Sequence, residues 1–442
     1  MIFLVTAVFY WGIQDNYFFS DDFQWVSRAV LAQGPGSAGE IFKLKRRDFN
    51  PVFLIVLGVL IKIFGLSPVI FRVISLFIFS AVTAAFFYIL YRYFKIHPLI
   101  SLSAALLSAL NVFVSEVVLN LSALVYSLSF LFFLAALKFY LDKKRMLYIL
   151  FILSAFLTKE AVILGVIPLI LFEKEKKNRL FLLASLGGMG LARMLLQLGA
   201  ASSYTNFLSF SNFFYKLYFI ILRAMNISPY SIPLPVGIGV ILLFFFISAY
   251  FMWTAYRTKE RGLLFFLSLF AFFSLFFSLL PKLSSRYFFF PALGFYGTAA
   301  LLVHHLQRIN KRFKYTLVPL VLVSILFNYA LVKKEIEDYR ILGDFSKNFI
   351  REQAVRIKDQ INTVSESTQI TIFKRDYRKL AGIYRQVVAR GNLPKLLPFR
   401  KNSIAGVIYP KDLVPIIFYP ERIVRWEPVE ETDTYFIGKL GK

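Results

Sequence analysis

The sequence predicts an all-α polytopic membrane protein of about 11 transmembrane helices, followed by a small C-terminal α/β domain. Three observations indicate this fold class. Hydrophobic residues make up 58% of the 442 residues and charged residues only 17%, which is more apolar surface than a water-soluble chain can bury. Apolar runs of roughly 20 residues recur as far as Val332, and short basic clusters separate them. After Val332 the composition becomes polar.

The cysteine count and the charge distribution exclude several classes of protein. The chain has no cysteine, which excludes a disulfide scaffold, a thiolate metal site and a cysteine nucleophile. Its net charge of +26 is spread over short clusters between apolar runs instead of forming one patch, so we expect no nucleic-acid partner. The three histidines show no ligand spacing, so we expect no metal site.

The apolar runs define the candidate spans. They lie at about 1–19, 69–94, 98–115, 117–141, 146–158, 161–173, 179–198, 231–256, 262–280, 285–306 and 315–332. Residues 1–13 have no basic n-region and no small-residue cleavage site, so we interpret them as part of a first span and not as a removable signal peptide.

Loop charge predicts the orientation in the membrane. Five basic connections are separated by two spans each, and the positive-inside rule assigns their shared face to the cytoplasm. These connections contain Arg92 and Lys95; Lys143, Lys144 and Arg145; Lys174, Lys176, Lys177 and Arg179; Arg257, Lys259 and Arg261; and Arg308, Lys311, Arg312 and Lys314. The alternate connections are poor in Lys and Arg for their length and are expected outside. The sequence thus predicts a multi-pass integral protein of the plasma (inner) membrane.

The segment Pro51–Phe64 decides the side on which the first loop lies. Fourteen residues with Lys62 in the last turn make a short span but a reasonable interfacial helix, and we favour the interfacial interpretation. Residues 20–68 and the tail from Lys333 are then outside. Against this, the basic run 43–47 would by the charge rule stay inside, unless it binds a phosphate ligand on the outer face. The spanning alternative therefore stays open.

The chain divides into a transmembrane domain at 1–332, whose outer loop at 20–68 is the candidate catalytic loop, and a soluble extracytoplasmic domain at 333–442. In the second domain the pattern predicts two helices and three short strands. The helices are expected at 333–365 and near 376–390, and the strands at 369–373, 404–409 and 415–419.

Two adjacent carboxylates, Asp21 and Asp22, follow the first span within an aromatic stretch. Partial desolvation beside apolar rings raises the basicity of a carboxylate, which suits a general base. The alternative is purely structural: Ser20 is a good N-cap, and acidic residues in a first helical turn favourably meet the helix dipole.

Basic residues on the predicted outer face are few. Arg46 and Arg47 precede Pro51–Phe64, Lys159 stands beside Glu160, and Arg286 opens an aromatic run. Such cations are suited to the phosphate of an anionic lipid. Snorkelling to the membrane interface is the alternative for each, and Lys159 with Glu160 could be a simple local pair. Arg72 and Glu116 are interpreted as either anchors or pocket residues.

In the order of these features the chain resembles the GT-C superfamily of membrane glycosyltransferases, especially the protein O-mannosyltransferase and aminoarabinose-transferase branch. The resemblance covers about residues 1–330 and rests on short motifs: Asp21-Asp22, Asn50-Pro51, the turn at 63–68, Arg72, Leu157–Ala161, and Ser285–Phe288 with Pro291. Two positions depart from the family pattern, because Asp22 replaces the commoner Glu and Asn50-Pro51 replaces Pro-Pro.

The resemblance implies a transferase that moves a sugar from a polyprenyl-phosphate donor to a hydroxyl on the outer face, with inversion at the anomeric carbon. The acceptor would be a lipid, a glycan or a protein, and no soluble cofactor is implied. Asp21 is expected to be the general base, with Asp22 orienting it or the acceptor and Glu116 as the alternative base. The lipid phosphate would be bound by Arg286 and Arg47, then Lys159, with Arg46 as the alternative to Arg47.

Two other classes of function compete with the transferase. A lipid-linked-glycan transporter or flippase would concentrate ionisable residues near the membrane midplane, whereas the centres of these spans are nearly uncharged. A non-catalytic membrane assembly protein would need neither Asp21 nor the outer cations.

Overall fold

The structure, a computed structural model, describes residues 2–18, 22–34, 50–197, 212–227, 233–258, 261–280, 285–309, 313–363, 369–373, 410–421, 425–431 and 435–441. Within these ranges the chain is mainly helical. The α-helices are α1 (Ile2–Phe9), α2 (Asp22–Leu31), α3 (Pro51–Phe64), α4 (Pro68–Arg92), α5 (Pro98–Ala109), α6 (Glu116–Leu119), α7 (Leu124–Leu141), α8 (Arg145–Thr158), α9 (Val166–Phe172), α10 (Lys176–Gln197), α11 (Phe213–Ala224), α12 (Leu234–Thr258), α13 (Arg261–Ser278), α14 (Phe289–Ile309), α15 (Phe313–Thr363) and α16 (Pro410–Phe418).

Among the described residues, three helical segments are long and apolar enough to cross a membrane: Pro68–Arg92, Leu121–Leu141 and Arg286–Arg308. A fourth is formed if Pro98–Ala109 and Val112–Leu119, which meet at a bend of 56°, are one broken span. The membrane character expected from composition agrees with these helices. The number of eleven spans stays a prediction.

The predicted first span at 1–19 is wrong as a single helix. Helix α1 ends at Phe9, because Gly12 adopts a positive φ of 103° and a 3-10 turn, Ile13–Asp15, follows it. The helix packs against α4, where the hydroxyls of Thr6 and Ser80 lie 2.5 Å apart. The chain therefore turns before it reaches the aspartate pair.

The chain between α5 and α7 breaks twice. A side-chain oxygen caps each break: the amide oxygen of Asn111 accepts from Phe113 N–H at 2.9 Å, and that of Asn120 accepts from Ser122 N–H at 2.9 Å. The predicted spans 98–115 and 117–141 are consequently interrupted near Glu116, and short helical segments replace continuous helix there. These breaks leave backbone N–H groups available to other segments.

The two ends of α7 lie roughly 27 Å apart, and connections between other helices lie near each of them. At one end the basic connections meet: the Tyr93 hydroxyl donates to Asp142, and Arg145 donates to Asn178. The Phe94 ring packs against Phe265 at the start of α13 at the same end. At the other end, described parts of the connections predicted to be outside make contact: Asp22 accepts from the Ser122 N–H, and Glu116 accepts from the Arg286 N–H.

Helix α3 has the predicted bounds, Pro51–Phe64. Its length of about 21 Å is shorter than the apolar thickness of a typical bilayer. It packs against α2 and α8, and Gln33 donates to the carbonyl of Gly58. Whether it lies on the membrane stays a prediction.

The C-terminal part differs from the predicted pattern. The boundary at 332/333 falls inside α15, one continuous helix of 51 residues. Strand β1 (Gln369–Phe373) is in the predicted place and pairs antiparallel with β3 (Tyr435–Gly441), which also pairs antiparallel with β2 (Arg425–Glu431). The predicted helix near 376–390 and strand at 404–409 lie outside the described residues.

The strand predicted at 415–419 is wrong, because residues 410–418 form α16. Its apolar side chains are buried, and the helix packs on α2. Packing of this apolar face overrides the strand preference of the Ile-Ile-Phe-Tyr run. Strand propensity read from composition alone therefore misassigned this segment.

Candidate functional site

A buried ion pair fixes the start of α2. Arg72 Nη2 lies 2.9 Å from Asp22 Oδ2, and both side chains are 0% exposed. The other carboxylate oxygen, Asp22 Oδ1, accepts from the backbone N–H of Ser122 at 2.8 Å. Arg72 also donates to the carbonyl oxygens of Asn16 and Tyr17. This arrangement, which we call the sealed pair, joins the chain before α2, the start of α4 and the break before α7.

A second acid and base lie beside the sealed pair. Glu116 Oε2 accepts from the backbone N–H of Arg286 at 3.0 Å, and Glu116 Oε1 lies 3.8 Å from Arg286 Nε. The guanidinium also donates from Nη1 to Ser122 Oγ at 3.1 Å. Ser122 therefore bonds to both charged pairs: its backbone N–H donates to Asp22, and its hydroxyl oxygen accepts from Arg286.

Local sequence explains why Ser122 is placed there. The carboxamide oxygen of Asn120 accepts from both the N–H and the Oγ of Ser122, at 2.9 and 2.7 Å. An Asn at this position stabilises a chain break and starts a helical turn in which the first N–H groups have no partner inside the helix. The N–H of Ser122 is one of these groups, and it is shared with the Asp22 carboxylate.

Lys159 and Glu160 are connected to the Arg286 segment through the ring of Tyr126. Lys159 Nζ lies 3.4 Å from Glu160 Oε1 and 5.7 Å from the centre of the Tyr126 ring. The Tyr126 ring packs edge-on against Tyr287, next to Arg286 in the chain. Tyr126 is also within electrostatic range of Arg286 and Glu160.

Solvent access separates these residues from the sealed pair. The side chains of Glu116, Lys159, Arg286 and Glu160 are 11%, 16%, 19% and 24% exposed. We call these four residues the open group. Partly exposed cations and acids can meet a ligand without first breaking a fully buried contact, and the low local dielectric strengthens any bond they form.

Helix α15 adds a layer behind the open group. Glu335, which is buried, is hydrogen-bonded to Ser115, the residue before Glu116. One turn later, the buried phenol of Tyr339 lies within electrostatic range of Glu116, Glu335, Arg286 and Asp22. Burial is the main cause that raises the pKa of Glu335 to about 8 and the pKa of Tyr339 well above its usual value.

A buried arginine on α11 lies near this layer. Arg223 is 1% exposed and its guanidinium carbon lies 5.0 to 5.4 Å from the ring centres of Phe113, Phe219 and Phe288. Cation–π contacts partly replace the water that the guanidinium loses. The charge also acts on Glu335 and lowers its pKa, against the larger effect of burial.

Four of the seven predicted site residues lie in the described chain: Asp22, Glu116 and Arg286 are linked through Ser122, and Lys159 lies beside the Tyr126 ring, which packs against Tyr287. Asp21, Arg46 and Arg47 lie outside the described residues. Arg72 is buried against Asp22, and whether it is an anchor or a pocket residue stays a prediction. No group of acids and histidines suited to a metal ion occurs in the described part of the chain.

Sequence reasoning did not select Ser122, Tyr126, Arg223, Glu335 or Tyr339. Asn120 before Ser122 was a usable signal, since an Asn inside an apolar run marks a break. Arg223 was another, because it is one of two basic residues in a long outer connection. Glu335 stands among several charged residues at the start of the polar region, and nothing in that local pattern distinguishes it.

No family model matches the chain, and no curated protein and no solved structure is significantly similar to it.

Proposed function

We propose that this protein is an inverting membrane glycosyltransferase of GT-C type that moves a sugar from a polyprenyl-phosphate donor to an acceptor hydroxyl on the outer face. The observation that carries the proposal is the open group. An acid and a cation, Glu116 and Arg286, meet beside Asp22 through Ser122. A second cation, Lys159, comes from a third connection and lies beside the Tyr126 ring, which packs against Tyr287. Such a collection supports chemistry on a charged headgroup at the membrane surface.

The reaction requires a base and a stabilised leaving group. The acceptor hydroxyl loses its proton to a carboxylate while its oxygen bonds to the anomeric carbon. The bond from that carbon to the phosphate oxygen breaks, and its electron pair leaves with the polyprenyl phosphate. Lys159 and Arg286 would stabilise the phosphate, since cations in a water-poor site act more strongly than in bulk water.

Asp21 is the proposed base. It directly precedes Asp22, whose two oxygens are engaged by Arg72 and Ser122. Asp22 is therefore suited to hold the start of α2 and thereby orient its neighbour, and it is poorly suited to take a proton itself. Glu116, partly exposed and next to Arg286, is the alternative base. Lipid, glycan and protein acceptors all present a suitable hydroxyl.

The experiment uses the purified protein in lipid nanodiscs with a labelled polyprenyl-phosphate sugar. Removing a cation that pairs with a desolvated phosphate costs about 2–5 kcal/mol. Arg286→Ala is therefore expected to weaken donor binding by that amount, with a smaller effect on acceptor binding. The matched control is Arg308→Ala, at the opposite end of the same helical span, which should leave donor affinity unchanged.

Unchanged donor affinity in Arg286→Ala would make Arg286 an interfacial anchor and remove the main support for the proposal. The same labelled donor also separates the competing classes. Movement of intact donor between the leaflets of a vesicle, without transfer to any acceptor, would identify a flippase. If the protein neither binds the donor nor transfers the sugar, the result would favour a membrane assembly protein.

A further inference from the structure

The hydroxyl of Ser115 faces two acceptors. Ser115 Oγ lies 2.8 Å from the carbonyl oxygen of Val112 and is also hydrogen-bonded to Glu335 Oε2. A serine hydroxyl carries one proton and two lone pairs, so it donates only once. With an ionised Glu335, two acceptors would compete for that proton in a buried place. With a neutral Glu335, the carboxyl O–H donates to Ser115 Oγ, Ser115 donates to Val112, and each oxygen is satisfied.

We propose that Glu335 is held in its protonated form and acts as a positioning residue, which fixes Ser115 and through it the Glu116 carboxylate of the open group. The positioning role rests on the proposed function, whereas the protonation does not. The helix that leads to the C-terminal region is thereby part of the site, although sequence patterning assigned it to a separate domain.

The link from Ser115 to Glu116 is short and rigid. The carbonyl oxygen of Ser115 accepts from Val118 N–H at 2.8 Å and from Leu119 N–H at 3.0 Å, so α6 begins on this residue. Glu116 is the first residue of α6, and its side chain accepts from the Arg286 backbone. A displacement of Ser115 would therefore move the Glu116 carboxylate relative to Arg286.

The surroundings of Glu335 agree with a neutral carboxyl. Facing it are groups from three other segments and from its own helix: Glu116 on α6, Arg223 on α11, Tyr10 after α1, and Asp338 and Tyr339 on α15. Burial, which is the largest effect, and the charges of Glu116 and Asp338 disfavour the charged form, whereas the hydrogen bond with Ser115 and the charge of Arg223 favour it. The net result raises the pKa of Glu335 to about 8, from an ordinary value of 4.5.

A raised carboxyl pKa fixes the sign of the pH dependence. Between pH 4.5 and about 8 the folded protein holds a proton on Glu335 that the unfolded chain has released. Stability therefore falls as pH rises through this window, and the fall ends above the folded-state pKa. Glutamine is nearly isosteric with the protonated acid and can donate to Ser115, but it does not titrate.

The first measurement is the thermal midpoint of the full chain in nanodiscs from pH 5 to 9, for wild type, Glu335→Gln and the control Glu337→Gln. Glu337 lies on the same helix but pairs with Arg340 at the surface, about half exposed. We expect the thermal midpoint of Glu335→Gln to rise relative to that of wild type as pH increases from 5 to 8. The midpoint of Glu337→Gln should keep a constant difference from wild type over the same range. A constant difference, or a loss for Glu335→Gln that grows toward pH 8, would show an ionised Glu335 paired with Arg223 and overturn the inference.

The second measurement is turnover, which tests positioning. Glu335→Ala should lower kcat about fivefold or more, the effect of one lost buried hydrogen bond, whereas Glu335→Gln should restore it and flatten the pH profile near 8. Equal kcat in both variants would overturn the positioning role. If no variant transfers sugar but the midpoints behave as expected, the proposed function fails and the protonated Glu335 stands.

Discussion

The sealed pair and the open group meet at Ser122 and differ in what surrounds them. Asp22 and Arg72 have no exposed side-chain surface, and both also bond to backbone groups: Asp22 accepts from the Ser122 N–H, and Arg72 donates to the carbonyl oxygens of Asn16 and Tyr17. Glu116, Lys159, Glu160 and Arg286 keep between 11% and 24% of their side-chain surface. Similar residue types thus stand in different surroundings: the buried charges join segments of the chain, and the partly exposed charges are the ones that we propose to meet a ligand. Three variants test this division.

The largest effect is expected at Asp21, the proposed base. Asp21 directly precedes Asp22, which Arg72 and Ser122 hold in place. Asparagine has nearly the same size as aspartate but cannot accept the proton. Asp21→Asn should therefore keep folding and donor binding while losing roughly 10²–10⁴ in turnover at saturating donor. Glu116→Gln is the comparison: if it abolishes turnover while Asp21→Asn does not, the base belongs to the open group.

A large effect on stability is expected at Arg72. Arg72→Met leaves the Asp22 carboxylate buried without its guanidinium, which typically costs about 3–5 kcal/mol. The free energy of unfolding, measured by denaturant titration in detergent, should fall by that amount. The double variant Asp22→Asn with Arg72→Met should recover part of the loss, because no buried charge then lacks its partner. A single variant as stable as the wild type would mean that the pair does not hold the fold.

The smallest effect is expected at Ser122, whose backbone N–H bonds to the sealed pair and whose hydroxyl bonds to the open group. Ser122→Ala keeps the backbone N–H on Asp22 and removes the oxygen that accepts from Arg286. We expect stability to fall by only about 1 kcal/mol, because the bond from Ser122 Oγ to Asn120 is also lost, and donor affinity to weaken about fivefold. A drop in stability without a change in donor affinity would assign the hydroxyl to the sealed pair instead.

The sequence predicted one shared face for Asp22, Glu116, Lys159 and Arg286 because each stands at the end of an apolar run. Alternation of the predicted spans would place such residues on one face regardless of how the helices pack. The partner of Arg72 was not accessible, since a contact across 50 residues depends on packing. The same holds for Glu335, which reaches Ser115 only because α15 continues past the predicted boundary.

The secondary structure could likewise be predicted where local signals determine it, and could not where packing or a single backbone angle does. The bounds of α3 followed from its Pro start and its Gly-Leu-Ser-Pro end, which are local signals. The strand expected at 415–419 failed because burial against α2 selects a helix there. The break at Gly12 within the expected first span also depends on local geometry that an apolar average does not reveal.

The most direct test of the division is a crossed measurement on Arg72→Met and Arg286→Ala, in which the unfolding midpoint and the donor dissociation constant are determined for both variants. The account predicts that Arg72→Met lowers the midpoint strongly and that its folded fraction loses less donor affinity than Arg286→Ala. For Arg286→Ala it predicts a midpoint close to that of the wild type and a donor dissociation constant raised at least tenfold. An Arg286→Ala protein that loses stability as Arg72→Met does, yet binds the donor normally, would contradict the account.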